Sequence, residues 1–101
     1  MITRVVHCKV EKYDVYIGRP SIFGNPFKLN AGESRDATLE RYRSWLMLPE
    51  QAALRERAHR ELKNKVLGCW CKPRAGFNGQ LLCHGQILAG MVEGVAPETI
   101  V

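Results

Sequence analysis

The stretch GCWCKPRAGFNGQLLCHG, residues 68–85, sets the strongest constraint on what this chain can become. It holds three of the four cysteines and one of the three histidines, and it joins two segments of different periodicity. The segment NKVLGCWC, residues 64–71, alternates: Val66, Gly68 and Trp70 fall on one face of a strand, Leu67, Cys69 and Cys71 on the other. Trp70, opposite the cysteines, is expected in the core. At the far end, HGQILAGMVEG, residues 84–94, carries Ile87, Leu88, Met91 and Val92 at helical spacing, with Gly94 as its stop. In such a strand-loop-helix unit the strand's end and the helix's start come close together. Cys69 and Cys71 then approach Cys83 and His84.

The rest of the chain supplies two more strands and two more helices. TRVVHCKV, residues 3–10, is rich in β-branched residues, and Cys8 within it is expected to pack. YDVYIGR, residues 13–19, sets Val15 and Ile17 against Tyr16 and reads as a second strand. PSIFGNPFKLNAGES, residues 20–34, is a long loop of the kind that carries function in compact domains. Residues 36–48 place Leu39, Tyr42 and Leu46 at helical spacing, capped by Asp36 or Ser34 and stopped at Pro49. Residues 50–62 repeat the stripe with Leu54, Ala58 and Leu62. The tail VAPETIV frays or adds an edge strand. This order predicts one small α/β domain over residues 1–101, with a short mixed sheet of about three or four strands and about three helices.

No apolar run approaches the length that crosses a bilayer, and Arg4, His7 and Lys9 interrupt any signal-peptide core, so a cytoplasmic protein is expected. Thiols there stay reduced, and no disulfide framework is expected. The net charge of +5 suits a ligand or partner carrying phosphate. Part of it lies in RERAHRELKNK, residues 55–65, where Arg55, Arg57, Arg60, Lys63 and Lys65 face two glutamates. That stretch is either a solvated helix face or a nucleic-acid contact.

Three readings fit the cysteine cluster. Cys69, Cys71, Cys83 and His84 supply the four soft or borderline donors of a zinc tetrahedron. Alternatively Cys83, at a helix N-terminus where unpaired N–H groups favour thiolate, is a catalytic nucleophile with His84 as base or proton shuttle. The third reading is plain packing of small apolar thiols. A zinc with an open position would support hydrolysis or deamination, although no H-x-E accompanies the cysteines. A zinc closed by four protein ligands would staple the loop.

A second candidate site is GRPSIFGNPF, residues 18–27, which starts where a strand ends. Arg19 offers a planar guanidinium fork, Ser21 and Asn25 offer polar contacts, and Gly24 permits close backbone approach. Together they form a candidate clamp for a phosphate. Phe23 and Phe27 either wall the pocket or finish the core.

These motifs resemble a family of small phage and bacterial proteins known as domain of unknown function family 4326. The likeness runs from about Val5 to Val92. It rests on Gly18-Arg19-x-Ser21, on Gly24-Asn25-Pro26-Phe27, on Cys69-Trp70-Cys71 with Pro73, and on Cys83-His84-Gly85. The loop between Cys71 and Cys83 is longer here than is usual in the family, and Gln86 stands where an acidic residue is common. The resemblance implies a compact α/β domain and a prokaryotic or viral setting, the host cytoplasm if phage-encoded.

The two loops together predict one pocket for a nucleotide-like or phosphate-bearing ligand, clamped by Arg19, Ser21, Gly24 and Asn25 beside a zinc-bearing or reactive wall. Whether it is an enzyme stays open between the zinc chemistries above. The alternative is a non-enzymatic basic module that binds nucleic acid or a host protein through residues 55–65, with structural cysteines.

Overall fold

The computed structural model describes residues 2–101. Its elements are β1 (Arg4–His7), β2 (Val15–Tyr16), α1 (Arg35–Leu46), a 3-10 turn (Pro49–Gln51), α2 (Ala52–Leu62), β3 (Val66–Cys69), α3 (His84–Glu93) and a second 3-10 turn (Pro97–Thr99). The α/β class is as expected. The sheet order is β1-β3-β2. Both outer strands run parallel to β3, with Val6 and Tyr16 flanking Gly68 on either side, so the expected mixed direction is corrected to parallel among the described residues.

The link between β1 and β2 explains the parallel arrangement. Residues 8–14 do not turn a hairpin; they cross β3 and start β2 at the same end as β1. The crossing runs over Gly68, where a Cβ would lie 2.5 Å from the Tyr13 ring, so a side chain there would block it. Asp14 anchors the far end: its N–H donates to the Val66 carbonyl at 2.8 Å and its carboxylate accepts from the Val66 N–H at 2.8 Å. The strands are shorter than their alternating patterns suggest. Val10 and Glu11 both donate to the His7 carbonyl, which turns the chain out of β1.

The helices follow their apolar stripes. Ser34, not Asp36, caps α1, its hydroxyl accepting from the Ala37 N–H. At the other end of α1 the Arg55 guanidinium donates to the carbonyls of Leu46 at 2.8 Å and Leu48 at 2.7 Å. The Leu46 carbonyl, in the last turn of α1, is one that the helix leaves open, and the Leu48 carbonyl also accepts from the Gln51 N–H at 2.9 Å; a cation is the group a helix C-terminus favours. Helix α3 packs against β1, β3, α1 and α2, and is buried on nearly every side. Gly94 ends it with φ of 71°, the left-handed conformation that glycine adopts without cost.

The core draws on one face of the sheet. Val5, Leu67, Ile17 and Cys69 join Leu39, Tyr42, Leu46, Ala58, Leu62, Leu88 and Val92 in a single cluster. The other face carries no helix layer. Trp70, one residue past the end of β3, is 57% exposed, which corrects the expectation that it fills the core. The tail neither frays nor forms a strand. Ile100 is buried, and the Val101 carbonyl accepts from the Val5 N–H at 3.0 Å.

Thr3 ties the start of the chain to α3. Its hydroxyl and N–H both donate to the Glu93 carboxylate, at 2.7 and 3.1 Å, and hold the carboxyl pKa below its ordinary 4.5. Protonation therefore favours the unfolded chain: the stability this contact adds is full above pH 4.5 and is lost as pH falls below it. Thr3→Val should flatten the acid limb of stability against pH in chemical denaturation, while an unchanged slope would assign that limb to other carboxylates.

Candidate metal centre and anion pocket

The end of β3 and the start of α3 bring three sulfurs together. Cys69, Cys71 and Cys83 place their Sγ atoms within 4.8 Å of one another. Cys69 lies 3.0 Å from Cys83 and 3.5 Å from Cys71. Cys71 and Cys83 stand at disulfide distance, with Cα atoms 5.3 Å apart, a spacing ordinary for a bridge. This pairing departs from the expectation of unpaired cysteines. It arises because the loop of residues 72–82 folds back on itself and returns Cys83 beside the strand it left. Cys8, outside the cluster, is a half-buried free thiol just past β1.

His84 lies beside this group of three sulfurs, next to Cys71. Its Nε2 lies 2.8 Å from the Ile17 carbonyl, an atom that only accepts, so Nε2 carries the proton. That leaves the Nδ1 lone pair directed at Cys71 Sγ, 3.4 Å away. A carbonyl that orients the remote ring nitrogen is the usual outer partner of a metal-binding histidine. Burial keeps the imidazole pKa below 6.5; the Ile17 carbonyl partly offsets this and the Arg19 charge adds to it. The ring is therefore neutral at physiological pH, the form that ligates metal. Around a tetrahedral zinc, sulfurs about 2.3 Å from the metal stand roughly 3.8 Å apart. The two Cys69 separations approach this, whereas Cys71 and Cys83 stand at bonding distance, so the three sulfurs fit the ion only in the reduced chain with that pair drawn apart.

Two local devices position these donors. Cys83 is the N-cap of α3, its sulfur accepting from the Gly85 N–H at 3.3 Å. Gln86 closes the capping box: its Oε1 accepts from the N–H groups of Leu82 at 2.7 Å and Cys83 at 2.9 Å, and its Nε2 donates to the Gln80 carbonyl at 2.8 Å. An acidic residue at this position keeps the two accepted bonds and loses the donated one.

A cavity of about 440 Å³ opens beside the cluster, at the carboxyl ends of β2 and β3, where parallel sheets collect ligands. Its wall includes Arg19, Asn25, Arg35, Trp70, Cys71 and His84, so the two loops do share one pocket. No acidic side chain lines it, and neither Arg19 nor Arg35 forms an ion pair among the described residues. Tyr16, Phe27 and Trp70 supply aromatic surface.

Ser21 and Gly24 shape the site without lining it, and Asn25 does both. The Ser21 hydroxyl accepts from the Phe23 N–H at 3.1 Å, and the Asn25 carbonyl oxygen accepts from the Phe27 N–H at 2.9 Å. These side chains lock turns. A Cβ on Gly24 would come within 3.1 Å of the Arg19 backbone, so glycine lets the loop close on itself. Phe23 is core, and its carbonyl accepts from the fully buried Tyr42 hydroxyl at 2.9 Å, which pins the loop to α1. Phe27 faces the pocket and meets Trp45 edge-on. Cys83 is fully buried and does not line the cavity, whereas Cys71 and His84 do.

Arg35 is the site residue that sequence reasoning missed. A cation in the first turn of a helix opposes the macrodipole, so its position is unfavourable for stability and is a signal of another role. In the stretch of residues 55–65, Arg55 caps α1, while Arg57 pairs with Glu61 and Arg60 with Glu56 on the surface. No helix among the described residues is long and apolar enough to cross a membrane.

The chain belongs to the family described as "Domain of unknown function (DUF4326)", which it matches over residues 2–94. It is 34% identical over 92 residues to a phage T4 protein described as an uncharacterized 12.4 kDa protein in the nrdA-td intergenic region, a match covering 90% of this chain and 78% of that protein. No solved structure matches it.

Burial raises the Cys69 thiol pKa, and its sulfur has no solvent access, while Cys8 is only half-buried. In reduced, metal-free protein, alkylation followed by peptide mapping should label Cys8 well before Cys69. Equal rates would mean that the cluster is open in solution.

Proposed function

We propose that this chain binds a nucleotide-like, phosphate-bearing ligand in the cavity beside the sulfur cluster, and that zinc held by Cys69, Cys71, Cys83 and His84 fixes the cavity's floor. The observation that carries this reading is the shared wall of Arg19, Arg35, Cys71 and His84. Two guanidiniums without a carboxylate partner among the described residues, Arg35 also donating to the Cys71 and Leu82 carbonyls at 3.5 Å, favour an oxyanion in an acid-free cavity, and a planar fork matches phosphate in two-point contact. The aromatic walls suit the ring of a base. Asn25 lines the same cavity, while Ser21 and Gly24 hold the loop that presents Arg19.

The zinc reading draws its support from the donor chemistry: three sulfurs, one neutral imidazole and an outer hydrogen bond to Ile17. Four protein donors leave no coordination position for water. In this reading zinc joins the end of β3 to the start of α3, and the protein is a binding module. A buried Cys83 serving as helix cap disfavours the nucleophile role assigned to it from sequence. A reducing cytoplasm is the compartment in which all three thiolates are available.

Protein purified under reducing conditions without added metal should carry one zinc per chain by elemental analysis, and Cys69→Ser should lower that content. A nucleoside monophosphate panel should raise the melting temperature, with the rise lost in Arg19→Ala and Arg35→Ala and kept in Arg57→Ala. Absence of metal, together with no shift across the panel, would overturn the reading. A shift lost only in Arg57→Ala would move binding to the basic helix.

A further inference from the structure

A row of aromatic rings leads into the cavity. Tyr13 lies across Gly68 and is 43% exposed. Its ring centre is 6.2 Å from that of Tyr16, which lines the cavity. Trp70 lines the same cavity and is 57% exposed. Beyond it His7 meets the indole edge-on at 5.6 Å, and the Lys9 ammonium lies 5.4 Å from the ring centre. A single exposed aromatic needs no explanation, but two pairs of rings that meet at the wall of one cavity do.

Charge selects the partner. Lys9, Lys12 and Arg19 border the row, and none of them forms an ion pair among the described residues. The two acids of the same link are occupied: Glu11 pairs with Arg4, and Asp14 accepts from the Val66 N–H. Flat exposed rings interleaved with free cations match alternating bases and phosphates. A duplex keeps its base faces stacked inside, so only an unpaired strand can use them. We propose that the ligand is the phosphorylated end of a single-stranded nucleic acid. Its terminal phosphate enters the cavity at Arg19 and Arg35, and the following bases stack on Trp70, Tyr16 and Tyr13.

This inference rests on the cavity reading and is separable from it, because Tyr13 does not line the cavity. The test compares deoxycytidine monophosphate with a 5′-phosphorylated, 3′-labelled octadeoxycytidylate, using calorimetry for the first and fluorescence anisotropy for the second. One stacked base corresponds to roughly a ten-fold change in affinity. The octamer should bind at least about ten-fold tighter than the mononucleotide. Tyr13→Ala should weaken the octamer about ten-fold and leave the mononucleotide unchanged, and Tyr13→Phe should restore the loss. Equal affinity for the two probes would overturn the inference and leave the cavity reading standing. Failure of both probes to bind would overturn both. Octamer binding that survives Tyr13→Ala and Trp70→Ala at full strength would place the strand elsewhere and overturn the inference.

Discussion

The structure depends on one junction, where the end of β3 meets the start of α3. Cys69 ends the strand and Cys71 follows it, Cys83 caps the helix and His84 opens it; the three sulfurs lie within 4.8 Å of one another, and His84 Nδ1 lies 3.4 Å from Cys71 Sγ. The junction is built from backbone outward. Gln86 satisfies the N–H groups that precede α3, and Cys83 satisfies one inside it, so the helix starts at a defined place. Gly85 lets that first turn press against Val5 and Ile17, since a Cβ there would come within 2.8 Å of the Ile17 side chain. The Ile17 carbonyl then sets the tautomer of His84. Strand β2, helix α3 and the sulfur cluster are thus linked through one imidazole.

The same junction places the pocket. Because Ile17 precedes Gly18 and Arg19, the chain that orients His84 also delivers the guanidinium above it. Tyr42 connects the arrangement to α1, donating to the Phe23 carbonyl and touching the His84 ring edge-on at 5.4 Å. Arg35, in the first turn of α1, lines the same cavity, with its guanidinium 3.5 Å from the carbonyls of Cys71 and Leu82. The cations of the cavity wall are carried by elements that the core and the helix cap already hold in place.

Much of this was legible in the sequence because it is local. Helical stripes at Leu39, Tyr42 and Leu46, the Ser34 cap and the Gly94 stop are encoded within a turn or two of chain. The meeting of the Cys-x-Cys strand end with Cys83 and His84 follows from any strand-loop-helix unit. What escaped was decided by distant partners. Strand direction depends on residues 8–14 crossing β3 over Gly68, and nothing in those residues announces the crossing. The exposure of Trp70 depends on what the fold leaves uncovered past the end of β3. Arg55 reads as one charge among five until Leu46 and Leu48 present their carbonyls to it. Ser21 and Asn25 look like ligand groups because the same polar atoms that contact anions also lock turns.

Titration of cobalt(II) into reduced, metal-free protein tests the proposed four-donor junction most directly, since the optical spectrum reports both geometry and thiolate count. The account predicts intense visible bands of tetrahedral cobalt and a thiolate charge-transfer band that falls by about a third in Cys69→Ser. It predicts a shift of the visible bands in His84→Gln. Weak, octahedral-type absorption, or a spectrum indifferent to both substitutions, would contradict it.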